Sequence, residues 1–108
     1  MAASKKRLKF ARRAFQPIKA KNAIGEHLRR IRCARGWSQE NLAAQCHRRG
    51  WDMDRAMVAK IELRLRSITD FELIKLCETT GVKPGELLGI DPLPTDLAKL
   101  AQLLKDRE

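Results

Sequence analysis

The chain has 108 residues, 44% of them hydrophobic, with 23 Lys and Arg against 13 Asp and Glu. That length supports one domain with a modest core and not two. A formal charge of +10 and a pI near 10.2 favour a polyanionic partner, either nucleic acid or an anionic membrane surface, while no apolar run approaches the roughly 20 residues of a membrane span.

The charge is unevenly placed. Residues 1–22 hold eight of the Lys and Arg and none of the acids, so the rest of the chain is close to balance. The segment is expected to be a flexible, disordered basic arm. Leu8, Ala11, Phe15 and Ile18 are spaced to form an amphipathic turn or two when it meets a surface. As a coil it would span roughly 26 Å root mean square. Three uses suit it: contact with phosphates or a minor groove, a solvated tail, or a membrane-surface or targeting segment.

The spacing of Ile24, Leu28, Ile31 and Ala34 predicts a helix over 23–35, ended by Gly36. Arg29, Arg30 and Arg35 fall on its wet side, and Arg32 sits beside the apolar stripe, so a structural ion pair there needs a partner elsewhere. From Gly36 to Glu62 the chain reads as two short helices joined by a connection, the layout of a helix-turn-helix. Ser38 is placed to cap the first of them, with Gln39 and Glu40 in its first turn. Leu42, Ala43 and Cys46 form its inner face. Gln39, at a helix start with free N–H groups, suits a phosphate contact.

In the connection, Gly50 permits a reversal, Met53 is expected to plug the core and Trp51 to pin the loop to the body. Asp54 caps the second helix, which ends near Glu62. Val58 and Ile61 face inward, leaving Arg55, Ala56, Met57, Ala59 and Lys60 for the outer side. A helix of this size fits the major groove, where Arg bridges guanine O6 and N7 and small apolar groups meet the thymine methyl. Arg55 is the best base reader, Lys60 suits base or phosphate, and Arg64 and Arg66 suit phosphates beside the groove.

Thr69 and Glu72 form a capping box. The helix that follows is expected to bury Phe71, Ile74, Cys77 and either Leu73 or Leu76, and to end before Gly81. Pro84 opens a short helix carrying Leu87 and Leu88. After the break at residues 91–94, Thr95 is expected to cap a last helix to about Asp106, with Leu97, Leu100, Ala101 and Leu104 on one face. That face could fold back on its own body or onto a second subunit or other protein partner.

The chain is unpromising as an enzyme. It has no glycine-rich phosphate loop, and His27 and His47 lack a carboxylate and nucleophile at recognisable spacing. Cys33, Cys46 and Cys77 lack paired metal-ligand spacing and read as buried, reduced thiols of a cytoplasmic protein. No cofactor or metal is expected.

The segment from Ile24 to Leu88 resembles the lambda-repressor-like, Cro-type helix-turn-helix family, also called the xenobiotic-response-element family. The resemblance is carried by Leu28 with Arg32, Trp37-Ser38-Gln39, Leu42-Ala43, Val58 with Ile61-Glu62, Asp70-Phe71-Glu72-Leu73, and Val82 with Leu87-Leu88. It implies a bundle of five helices, so that the whole chain is expected to be all-α: a compact five-helix domain over 23–90, with the flexible basic arm and the C-terminal amphipathic helix over 91–108 lying outside the resemblance. It also implies an ion pair between Arg32 and Glu62, phosphate contact by Gln39, groove-facing Arg55, Ala56, Met57 and Lys60, and usually a homodimer on a two-fold DNA site. The function implied is a sequence-specific, double-stranded DNA-binding transcriptional regulator, a repressor, acting on the nucleoid. Its rivals are an antitoxin-like or accessory module acting through a protein partner, and a non-specific nucleic-acid or membrane binder driven by the arm. Two departures stand out: the connection before Asp54 is longer than usual in the family, and Arg64 stands where Gly is common.

Overall fold

A computed structural model describes residues 20–108; the expectations for Leu8, Ala11, Phe15 and Ile18 lie outside the described residues. Local signals set the helix ends. α1 (Gly25–Ala34), α2 (Gln39–Arg48), α3 (Arg55–Glu62), α4 (Asp70–Thr80), α5 (Pro84–Leu87) and α6 (Leu97–Asp106) follow one another, with no strand among the described residues. Ser38 and Asn41 form a reciprocal capping box at α2, and Thr69 and Glu72 form another at α4. Asp54 caps α3 through the Met57 N–H.

The first three helices end in the same way. Gly36 and Trp37 donate to Cys33 O and Arg32 O, Gly50 and Trp51 to His47 O and Cys46 O, and Arg64 and Leu65 to Ile61 O and Lys60 O. Each is a Schellman motif, whose first residue past the helix end takes a left-handed backbone. Gly36 and Gly50 do so freely, at φ 73° and 84°. Arg64 does so at φ 61°, which costs a side-chain-bearing residue about 1 kcal/mol.

Apolar side chains from every helix meet in one core. Leu28, Ile31, Leu42, Cys46, Val58, Ile61, Leu76, Leu87 and Leu100 are fully buried, with Met53 from the connection and Leu104 nearly so. Each Leu or Ile there contributes about 1.5–3 kcal/mol. α2 packs on α3 and α4, and α1 packs on both α3 and α6.

The structure corrects several expectations. Phe71 and Ile74 are exposed; α4 buries the expected Cys77 and Leu76, together with the unexpected Thr79 and Thr80. The two threonines are accommodated because their hydroxyls donate back to Lys75 O and Leu76 O. Arg35 is not on the wet side: its Nε and Nη2 both donate to Thr80 O, and its guanidinium lies over Trp37 and pairs with Glu108. Asp96, not Thr95, caps α6. Cys33 is exposed, whereas Cys46 and Cys77 are buried. Burial raises both inner thiols, Cys77 to about 11, so they stay neutral and unreactive.

The face of α6 folds back on its own chain. Leu100 and Leu104 are sealed against α1, leaving only Leu97 largely exposed. Of the face formed by Leu97, Leu100 and Leu104, the chain itself covers the last two, and a partner reaching them would have to lift α6 from α1. Arg107 locks the helix down, donating to both carboxylate oxygens of Glu86 at 2.8 and 2.9 Å and to Gly81 O.

Hydrogen bonds from Arg107 and Arg66 hold the carboxyls of Glu86 and Glu72 below the ordinary value near 4.5. A lowered folded pKa stabilises the fold above the unfolded value, and that stability is lost as pH falls through the folded value. Arg107→Ala should thus cost about 1 kcal/mol at pH 7, and the cost should shrink below pH 4. Urea titrations at several pH values check this; a pH-independent loss would assign Arg107 to packing alone.

Candidate nucleic-acid interface

The sequence Trp37-Ser38-Gln39 starts α2 sharply, and the Gly50 end motif turns the chain so that Met53 enters the core and Asp54 starts α3. The outward side of α3 is then set by its buried pair, Val58 and Ile61. Arg55, Ala56 and Lys60 are exposed, while Met57 and Ala59 are half-buried and Met57 packs against the core. Of the five outer residues, three are therefore exposed and two are partly covered by the body.

Glu62, the last residue of α3, organises the back of this unit. Its carboxylate takes Arg32 Nε at 2.6 Å, Arg32 Nη2 at 3.1 Å and Gln39 Nε2 at 3.0 Å. Arg32 Nη1 also donates to Trp37 O at 2.8 Å. One network therefore joins α1, the α1–α2 turn, the start of α2 and the end of α3. Arg32 and Glu62 are brought together as an ion pair. Gln39 is drawn partly into it, and Ser38 takes the Asn41 N–H, so the second amide hydrogen of Gln39 and the Gln39 and Glu40 N–H groups are the donors left at the start of α2 among the described residues.

Arg66 is also committed within the chain, donating to both carboxylate oxygens of Glu72 at 2.8 and 3.2 Å. A phosphate would have to share it. Arg64 has no such partner among the described residues, and its half-buried stem passes beside Gly25.

Sequence reasoning missed two residues that set this geometry. Asn22 Oδ1 accepts from Ile24 N and Gly25 N at 3.0 and 2.9 Å, while its Nδ2 donates to Ile61 O and Arg66 O at 3.1 and 2.8 Å. An Asn two to three residues before an apolar-periodic run is a helix-start signal, so half of its role was readable. Gly25 lies so close to α3 that a Cβ would sit 2.6 Å from both Ile61 O and Glu62 O.

No group of three or more His, Cys, Asp or Glu that could hold a metal occurs among the described residues, and no described helix is long and apolar enough to cross a membrane. No curated protein and no solved structure matches the chain. A sequence model described as helix-turn-helix matches residues 28–87, more than half of the chain, and spans the Arg32–Glu62 network, both helices of the motif and α4. The chain belongs to the lambda-repressor-like helix-turn-helix family of DNA-binding domains.

Proposed function

We propose that the protein is a sequence-specific, double-stranded DNA-binding transcriptional regulator that places α3 in the major groove. The observation that carries this is the outer side of α3: Arg55, Ala56 and Lys60 stand exposed while Val58 and Ile61 anchor the helix from behind. Arg55 and Lys60 read base edges, Ala56 with the half-buried Met57 and Ala59 meets thymine methyls, and Gln39, Arg64 and Arg66 hold phosphates. The strained Arg64 supports its part. A cationic side chain kept where Gly would be free of cost is the pattern expected at a functional position. Acting on nucleoid DNA in the cytoplasm, as a dimer on a two-fold site, such a protein represses by occupying a promoter.

Selection of bound duplexes from a random pool at near-physiological salt tests the reading. Two related half-sites about one helical turn apart should be enriched; retention of DNA without any enriched sequence would refute it. On the selected site, Arg55→Ala should cost about 1–3 kcal/mol, with little change on random duplex. Arg64→Gly should behave oppositely, raising fold stability by up to about 1 kcal/mol through relief of the left-handed backbone. It should weaken every duplex alike and lower the log–log salt slope by about 0.9. Equal losses on specific and random DNA for Arg55→Ala would remove it as a base reader.

A further inference from the structure

The outer side of α4 is apolar and uncovered among the described residues. Phe71 is 77% exposed and Ile74 49%, while Leu76, Cys77 and Thr80 hold the opposite side of the helix in the core. Apolar groups grouped in this way mark an interaction surface. Phe71 forms a knob. Further along the same side, Ile74, Gly81, Val82 and Pro84 line an open apolar depression of about 490 Å³, with Glu78 and Lys83 at its rim. Knob and hole thus stand at opposite ends of one strip, with Lys75 and Glu78 each about one turn from an end.

The charges along the strip say what covers it. In chain order Asp70, Lys75, Glu78 and Lys83 alternate in sign, acid, base, acid, base. Asp70, Glu78 and Lys83 are exposed and enter no ion pair among the described residues, and Lys75 makes one long contact to Arg49 O at 3.3 Å. A partner of uniform charge, DNA included, would meet its own sign at two of the four positions. Read backwards, the same order is its own complement. A second copy laid antiparallel therefore brings Asp70 to Lys83, Lys75 to Glu78 and Phe71 to the depression over Val82, and two-fold symmetry makes each contact twice.

We propose that the outer side of α4 is a homodimer surface, on which two copies of this chain pair antiparallel with Phe71 of each seated in the depression of the other. This names a surface for the dimer proposed above and does not rest on the major-groove role of α3. The strip is about 16 Å long, short of a standard-size interface, so the free dimer should dissociate in the micromolar range.

Sedimentation equilibrium of the full chain across that range, at near-physiological salt, tests the proposal. Phe71→Ser should weaken association roughly a hundredfold or more and leave the thermal melt unchanged, because the ring lies outside the core. Lys75→Glu and Glu78→Lys should each weaken it roughly tenfold, since either change sets like charges together twice. An equimolar mixture of these two variants should recover the dimer, because both contacts regain opposite signs in the mixed pair. If Phe71→Ser does not fold, the charge variants decide alone. A full chain that stays monomeric throughout leaves the strip to some other partner and overturns the proposal. Undiminished association of folded Phe71→Ser overturns it by placing the dimer contact elsewhere. Failure of the mixture to recover overturns the antiparallel pairing. No DNA is present in these measurements, so their failure leaves the reading of α3 standing, and failure of that reading leaves them unchanged.

Discussion

Arg32→Met should lower the unfolding free energy by about 3–5 kcal/mol, the range for breaking a buried pair by removing one member, and shift the melting temperature by on the order of 20 °C. The size follows from what is stranded. The Glu62 side chain is 4% exposed and has a short stem on the last residue of α3, where the helix dipole disfavours negative charge. Without Arg32 it keeps, among the described residues, the single neutral donor from Gln39. Glu62→Leu should cost less, because Arg32 retains Trp37 O and has a long stem that can carry its charge toward water. The double variant Arg32→Met, Glu62→Leu should lie within about 2 kcal/mol of the wild type, since both desolvated charges then disappear together. Urea unfolding of the three variants measures this order; a loss below about 1 kcal/mol for Arg32→Met would show that the pair is solvated in practice and does not hold α1 to α3.

What was legible in the sequence was what depends on neighbours a few residues away. Ser38, Asp54 and Thr69 cap helices through donors three positions on, and Val58 with Ile61 alternates with Arg55 and Lys60 at helical spacing. The resemblance supplied the partner of Arg32, which spacing could not. The misses share a physical cause in long-range packing. Arg35 looked solvated because its acceptors, Thr80 O and Glu108, lie 45 and 73 residues away. On α4, Phe71 and Ile74 are as apolar as the residues that turn inward, and only the placement of α2 and α5 decides in favour of Leu76, Cys77 and the two threonines. Asn22 stands where a helix-start cap is expected, yet its other two bonds reach the end of α3, so its role as a tie was invisible locally. The last helix could pack on its own body or on a partner by spacing alone; its contacts to α1 and the Arg107–Glu86 bonds depend on residues far away in the chain.

Gly25→Ala should destabilise the protein by about 2 kcal/mol, against the local rule. Gly25 is the first residue of α1, and in an open helix Ala would be favoured over Gly by about 1 kcal/mol. Here an added methyl would sit 2.6 Å from two backbone carbonyls of α3 and 2.7 Å from Arg64 Cγ. The Arg64 stem can move, but the carbonyls cannot move independently: Ile61 O accepts from Arg64 N and Asn22 Nδ2, and both bonds hold the end of α3 in place. Relief requires α1 to lift from α3, loosening Ile24 and Leu28 and lengthening the Arg32–Glu62 contacts. Overpacking of this kind costs typically 1–3 kcal/mol and sometimes more, which exceeds the helix-propensity gain. The same displacement tilts α3, the helix proposed to enter the major groove, so affinity for a selected duplex should fall more than affinity for random DNA. Urea midpoints and paired binding measurements read the two effects. A midpoint higher than that of the wild type would mean that propensity prevails and that the close crossing of α1 over α3 does not constrain the interface.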